Sequence, residues 1–242
     1  MKRFAIAGIL GAFIAFGTQA EETAELTSMP APWVASDGAV IDFTVLRKGK
    51  PFGTHVLSFD RDANGQLTVT TDVDLQVKFG PITAFRYRLD SVEEWIDGKL
   101  VSLNGKSNSD GRKGAVNAKA NGNDLVVEST KFDGALPLTT IPSSHWNRLQ
   151  VYQNQMLSTE TGEILDIEVE NLGEDVVTVD GQNIETTHYR LVSDLTVDLW
   201  YDNQSRWVKL AFEVRGQDIE YVLNELYYVL ELALLSFSIS KG

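Results

Sequence analysis

The sequence predicts an all-β protein: a strongly curved antiparallel sheet, rolled as a half-barrel or open barrel, with one helix near the middle of the chain. Three observations predict it. Asx-Gly dipeptides recur throughout, at Asp37-Gly38, Asn64-Gly65, Asp97-Gly98, Asn104-Gly105, Asp110-Gly111, Asn121-Gly122, Asp133-Gly134 and Asp180-Gly181. Such pairs tolerate the positive φ of tight hairpin turns, and reversals this frequent leave little room for the crossover helices of a parallel sheet. Secondly, Leu67, Val69, Thr71, Val73, Leu75, Val77 and Phe79 alternate with polar residues over thirteen positions, which is one long strand with a mostly apolar face. At about 3.3 Å per residue it spans roughly 43 Å, and strands of that length twist and coil. Thirdly, a Tyr-led segment occurs twice: Tyr87-Arg88-Leu89 followed by Trp95-Ile96-Asp97, and Tyr189-Arg190-Leu191 followed by Trp200-Tyr201-Asp202. Each copy reads as a strand ending on a Trp-x-Asp corner with a return strand, as in a sheet of two related halves.

The elements follow in order. Residues 1–20 read as an export leader: Lys2 and Arg3, an apolar stretch from Phe4 to Phe16, and small residues at the Thr18-Gln19-Ala20 cleavage site. Residues 21–39 form an N-terminal extension, 40–223 a single β domain and 224–242 an apolar tail. Ile41, Phe43 and Val45 alternate early; Leu165, Ile167 and Val169 alternate with acidic residues; Val208, Leu210, Phe212 and Val214 line one face late. Eleven to thirteen strands are expected. Between Ser143 and Leu157, Trp146, Leu149, Tyr152, Gln153 and Met156 recur at helical spacing after Pro142 and a Ser pair, so a helix is expected near 144–156. In the tail, Leu226, Leu230, Leu234 and Phe237 fall at near-helical spacing. Such a segment needs a cover: the protein's own sheet, a partner, or a membrane surface.

Composition limits the function classes. The chain has no cysteine, which excludes disulfides, a thiol-linked lipid anchor and thiolate chemistry. Removing Lys2 and Arg3 with the leader from the 21 basic residues leaves 19 against 34 acidic ones, a net charge of −15. That sign opposes nucleic acid and anionic headgroups as electrostatic partners. The expected location is periplasmic or secreted.

Candidate chemistry is sparse. His55, His145 and His188 have no metal-site spacing, and no metal or other cofactor is expected. Ser144-His145-Trp146-Asn147 places a hydroxyl, a base and an amide together, making His145, Asn147 and Ser144 the weak catalytic candidates; an N-cap serine followed by packing residues explains the same letters. Asp60-Arg61-Asp62-Ala63-Asn64-Gly65 opens like a calcium loop, but Thr71 stands where a bidentate glutamate is needed, so a hairpin turn reads better. The long one-sided strands can line an apolar concave surface, with Val73, Leu75, Val77, Phe85 and Tyr87 as the expected ligand-binding residues.

A wider set of motifs carries a resemblance. Gly49-Lys50-Pro51-Phe52-Gly53-Thr54-His55, the strand to Phe79, Tyr87-Arg88-Leu89 and Glu94-Trp95-Ile96-Asp97-Gly98 form its first part. Ser144-His145-Trp146-Asn147, Thr161-Gly162 and Leu199-Trp200-Tyr201-Asp202 complete it. Together they resemble the bacterial "domain of unknown function 6134" family of exported proteins, over about Val40 to Leu223. The order of elements is also similar, at fold level, to the periplasmic lipoprotein carrier proteins, which shelter acyl chains in a curled sheet around a helix. The resemblance implies an exported β protein. The leading expectation is a non-enzymatic binding or carrier protein for a lipid or other amphipathic ligand. The alternatives are an envelope polysaccharide- or lipid-acting enzyme using His145, and an envelope assembly scaffold.

Overall fold

The computed structural model describes residues 32–225; the leader, most of the extension and all but the first two residues of the tail lie outside them. Eight strands run as successive hairpins: β1 (Ala39–Arg47), β2 (Lys50–Arg61), β3 (Leu67–Phe79), β4 (Ile82–Ile96), β5 (Lys99–Ser109), β6 (Arg112–Asn121), β7 (Asp124–Ser129) and β8 (Gly134–Pro137). A connecting strap follows, containing one 3-10 turn (Arg148–Tyr152) and a small hairpin of β9 (Gln155–Leu157) and β10 (Ile164–Asp166). Five more strands complete the chain: β11 (Glu168–Val179), β12 (Gln182–Val192), β13 (Val197–Asp202), β14 (Trp207–Val214) and β15 (Gln217–Leu223).

All but β9 and β10 belong to one antiparallel sheet in the order β11-β12-β13-β14-β15-β1-β2-β3-β4-β5-β6-β7-β8. The two halves are joined by β15 pairing with β1, with Phe43 opposite Leu223. Local turn chemistry builds the rest. Asp97-Gly98, Asp110-Gly111 and Asp180-Gly181 have positive φ at both residues, the backbone of a tight hairpin turn. β3 has the limits that its alternation predicts, with Val69, Val73 and Leu75 buried on the inner face.

The expected half-barrel is not what forms. The sheet is open, neither closed nor strongly curled, and its edges are β11 and β8. The four-residue β8 ends on Pro137, and β11 carries exposed Glu168, Glu170 and Glu174 with an irregularity between Asn171 and Gly173, so both edges resist further pairing. The inner face is filled instead by the strap. A Cβ on Gly105 would run into the backbone oxygen of Thr159, and one on Gly114 into that of Glu160, so the strap lies directly on the sheet there. Asn104-Gly105 is therefore not a turn; its glycine sits inside β5 to admit another backbone.

The expected helix is also absent; among the described residues only the 3-10 turn is helical. His145 adopts φ 65°, a left-handed backbone that ends any helix begun at Ser143. Asn147 caps the short turn by accepting from the Leu149 amide, and Gln153 is already extended. The apolar spacing that suggests a helix is satisfied sideways: Trp146, Val151 and Met156 are buried in the core.

Nor are the two Trp-x-Asp segments equivalent. Tyr87 and Trp95 share β4, whereas Tyr189 lies on β12 and Trp200 on β13. Trp95 packs with Trp146 in the interior, while Trp200 stacks on His188 and lies under the Lys209 ammonium. Each segment does carry a register shift at its tryptophan, between Glu94 and Trp95 and between Trp200 and Tyr201.

Candidate functional site

The strap and the inner sheet face enclose a seam of polar and aromatic groups. At its centre is Glu93, fully buried on β4. Its Oε2 accepts from the indoles of Trp95 at 2.9 Å and Trp146 at 3.0 Å, one from the sheet and one from the strap. The Ser144 hydroxyl lies near the same carboxyl, though neither it nor Oε1 makes a hydrogen bond among the described residues. Burial raises the Glu93 carboxyl, and the three donors offset part of that rise.

Beside it lies a ring cage. His55 on β2 is surrounded by Phe43, Trp207 and Tyr221, with centroid separations of 6.5, 5.4 and 5.5 Å. Neither ring nitrogen has a hydrogen-bond partner among the described residues. Burial, with a smaller contribution from His145, pushes its pKa down to about 3. The His145 ring meets Trp207 from the strap side at 5.7 Å, and its Nδ1 is 3.0 Å from the Gln150 side-chain oxygen. Tyr201 donates to the His145 backbone oxygen at 2.7 Å and accepts from Gln150. Arg148 donates to the Tyr189 hydroxyl at 2.7 Å and lies against the Tyr189 and Tyr201 rings.

The weak catalytic candidates are thus adjacent but not convergent. His145 faces Gln150 and Trp207, Ser144 faces Glu93, and Asn147 caps the 3-10 turn. No carboxylate hydrogen-bonds His145 among the described residues, so it has no orienting acid of the kind a general base uses. Among the same residues, no cluster of three His, Asp or Glu could hold a metal ion. Asp62 of the calcium-like loop accepts from the Asn64 and Gln66 amides at 2.8 and 2.9 Å, closing a hairpin turn, and the Gln66 bond is the main cause of its lowered pKa.

The expected ligand-binding residues do come together. Val73 pairs with Leu89, Leu75 with Tyr87 and Val77 with Phe85 across β3 and β4, all on the inner face. Val73 and Leu75 are buried, whereas Val77, Phe85 and Tyr87 are half-buried. A register shift between Val45 and Leu46 makes Phe52 an extra residue in β2, and its ring stacks on Phe85 at 6.2 Å. Tyr87 and Tyr221 lie close to Glu160 of the strap, whose carboxyl is raised by burial. The apolar inner face therefore emerges from beneath the strap at this end and meets a polar pair. Sequence reasoning found β3 and β4 but missed Phe52, because only the bulge turns it inward, and missed Glu160, because the strap was read as a helix.

On the other face, a groove of about 440 Å³ is lined by Thr70, Asp72, Asp90, Val92, Asn104, Lys106 and Asn117, among others. Asp72 faces Asp90 directly, and burial followed by the Asp90 charge raises its carboxyl. The nearby arginines Arg86 and Arg88 both pair with Asp74. This groove is open to solvent and has no aromatic lining.

Fold and site define an open, single-sheet antiparallel β protein with a connecting strap lying on its inner face. The structure is similar to the crystal structure of a beta-barrel-like protein of domain of unknown function DUF1849 from Brucella abortus. The TM-score is 0.52 at 14% identity, covering 77% of this chain and 94% of that one, a likeness of fold alone. The chain itself belongs to the family described as domain of unknown function DUF6134, which matches residues 43–224. No curated protein matches the sequence.

Proposed function

We propose that this is an exported, non-enzymatic binding protein for an apolar or amphipathic ligand, held at the end of β2, β3 and β4. The observation that carries the reading is the burial gradient along the inner face of β4. Trp95, Glu93, Ser91 and Leu89 are buried, while Tyr87 and Phe85 are half-buried and continuous with Val77 and Phe52. Apolar inner-face residues left partly uncovered beside the polar groups of Tyr87 and Glu160 suit a chain with a polar head. The leader at residues 1–20 supports export, to the periplasm or beyond.

The test is titration with a fluorescent fatty-acid probe at pH 7.5. The mature protein is expected to bind it, and Val77→Asp and Phe85→Asp each to weaken binding at least about tenfold, because a carboxylate at the contact must be desolvated. Circular dichroism checks that both variants fold. No binding by the parent, or equal binding by the folded variants, contradicts the assignment.

A further inference from the structure

The strap rests on the sheet through side chains more than through a backbone ladder. Its ties include Trp146 to Glu93, Tyr201 to the His145 oxygen, Gln150 to Tyr201, Arg148 to Tyr189 and Ser205, Ser107 to the Glu160 oxygen, and two backbone bonds, Leu100 to Leu138 and Lys131 to Thr161. Layers held this way open more readily than paired strands. Two imidazoles lie at the junction, His55 on the sheet and His145 on the strap, packed against the same Trp207 ring. We propose that the strap is an acid-released cover: protonation of His55 and His145 drives it off the inner face and uncovers the sheet beneath it around Gly105 and Gly114. This rests on the binding site proposed above, whose apolar surface the strap limits.

The charge environment sets the direction. His55 faces Phe43, Trp207, Tyr221 and His145, none of which is an anion; His145 faces Gln150 and Trp207. The charged groups nearby are committed elsewhere: Arg148 to Tyr189, Glu93 to the two indoles, and Glu160 to Tyr87. Burial keeps both imidazoles neutral when the strap is closed, and an opened strap returns them to an ordinary pKa near 6.5. A group lowered in the closed state binds its proton preferentially in the open state, so closure is strongest above pH 6.5 and weakens as pH falls. Protonation of His55 multiplies the opening constant about tenfold per pH unit below 6.5, or about 30-fold at pH 5.0, and His145 acts in the same direction. Glu93 and Glu160, raised by burial, take up protons in the closed state and oppose this, so the imidazole contribution must be isolated by substitution.

Amide hydrogen exchange of the ligand-free mature protein at pH 7.5 and 5.0, corrected for intrinsic rates, reads the opening directly. Residues 142–162 should lose protection at pH 5.0 while β3 and β4 keep theirs. His55→Phe, which retains a ring without a titrating nitrogen, should remove about 30-fold of the acceleration. His145→Asn is the second variant, since asparagine tolerates the left-handed backbone at this position. The proposal is overturned if strap protection is independent of pH, if strap and sheet lose protection together, or if both variants keep the parent's pH dependence. The experiment uses no ligand, so its outcome and that of the probe titration at pH 7.5 are separable.

Discussion

Replacing Gly105 by alanine is expected to destabilise the protein by about 3 kcal/mol or more, the upper range for forcing a group into a filled interior. Gly105 has no left-handed backbone requirement; the effect is steric. Its new Cβ would meet the Thr159 backbone oxygen and the Val116 side chain, and neither the strap backbone nor the paired strand can yield easily. For a domain of this size about 3 kcal/mol corresponds to a melting point lower by roughly 6–12 °C. A thermal melt measures the loss. Exposed Gly122, whose Cβ would meet nothing, supplies the control for its φ of 65°: substitution there should show only backbone strain. A Gly105→Ala protein as stable as the parent would mean the strap does not lie on β5.

Glu93→Ala should be as damaging, at about 3–5 kcal/mol. The substitution leaves the Trp95 and Trp146 indole N–H groups buried with no acceptor, and each orphaned donor costs about 1–3 kcal/mol in addition to the cavity. Glu93→Gln keeps an acceptor oxygen of the same reach and should cost only about 1 kcal/mol. Urea unfolding at pH 7.5 distinguishes them. Equal losses for the two variants would show that the negative charge, not the acceptor, holds the indoles.

Sequence and structure agree where the information is local. Alternation from Leu67 to Phe79 yields β3 to the residue, and Asp-Gly pairs locate the tight turns, because both signals depend on neighbours within a few positions. The same alternation put Val73, Leu75, Val77, Phe85 and Tyr87 on one face. The strap escaped because Trp146, Leu149 and Met156 have helical spacing for a different reason, which is packing on a core whose strands lie far away in sequence. His145 breaks the helix with a backbone conformation that its side chain does not announce. The role of Glu93 is not legible locally, since nothing nearby in sequence shows that Trp146 returns to it from 53 residues away. The open sheet follows from the same blindness: filling the inner face with backbone needed Gly105 and Gly114, and the Asn104-Gly105 pair looked like one more turn.

The proposed amphiphile site at the end of β2, β3 and β4 is checked by native mass spectrometry of the protein purified without detergent from the cells that make it. A bound species of lipid-like mass is expected at up to one equivalent, reduced or lost in Phe85→Asp. Bare protein alone, or an adduct retained unchanged in that variant, would contradict it.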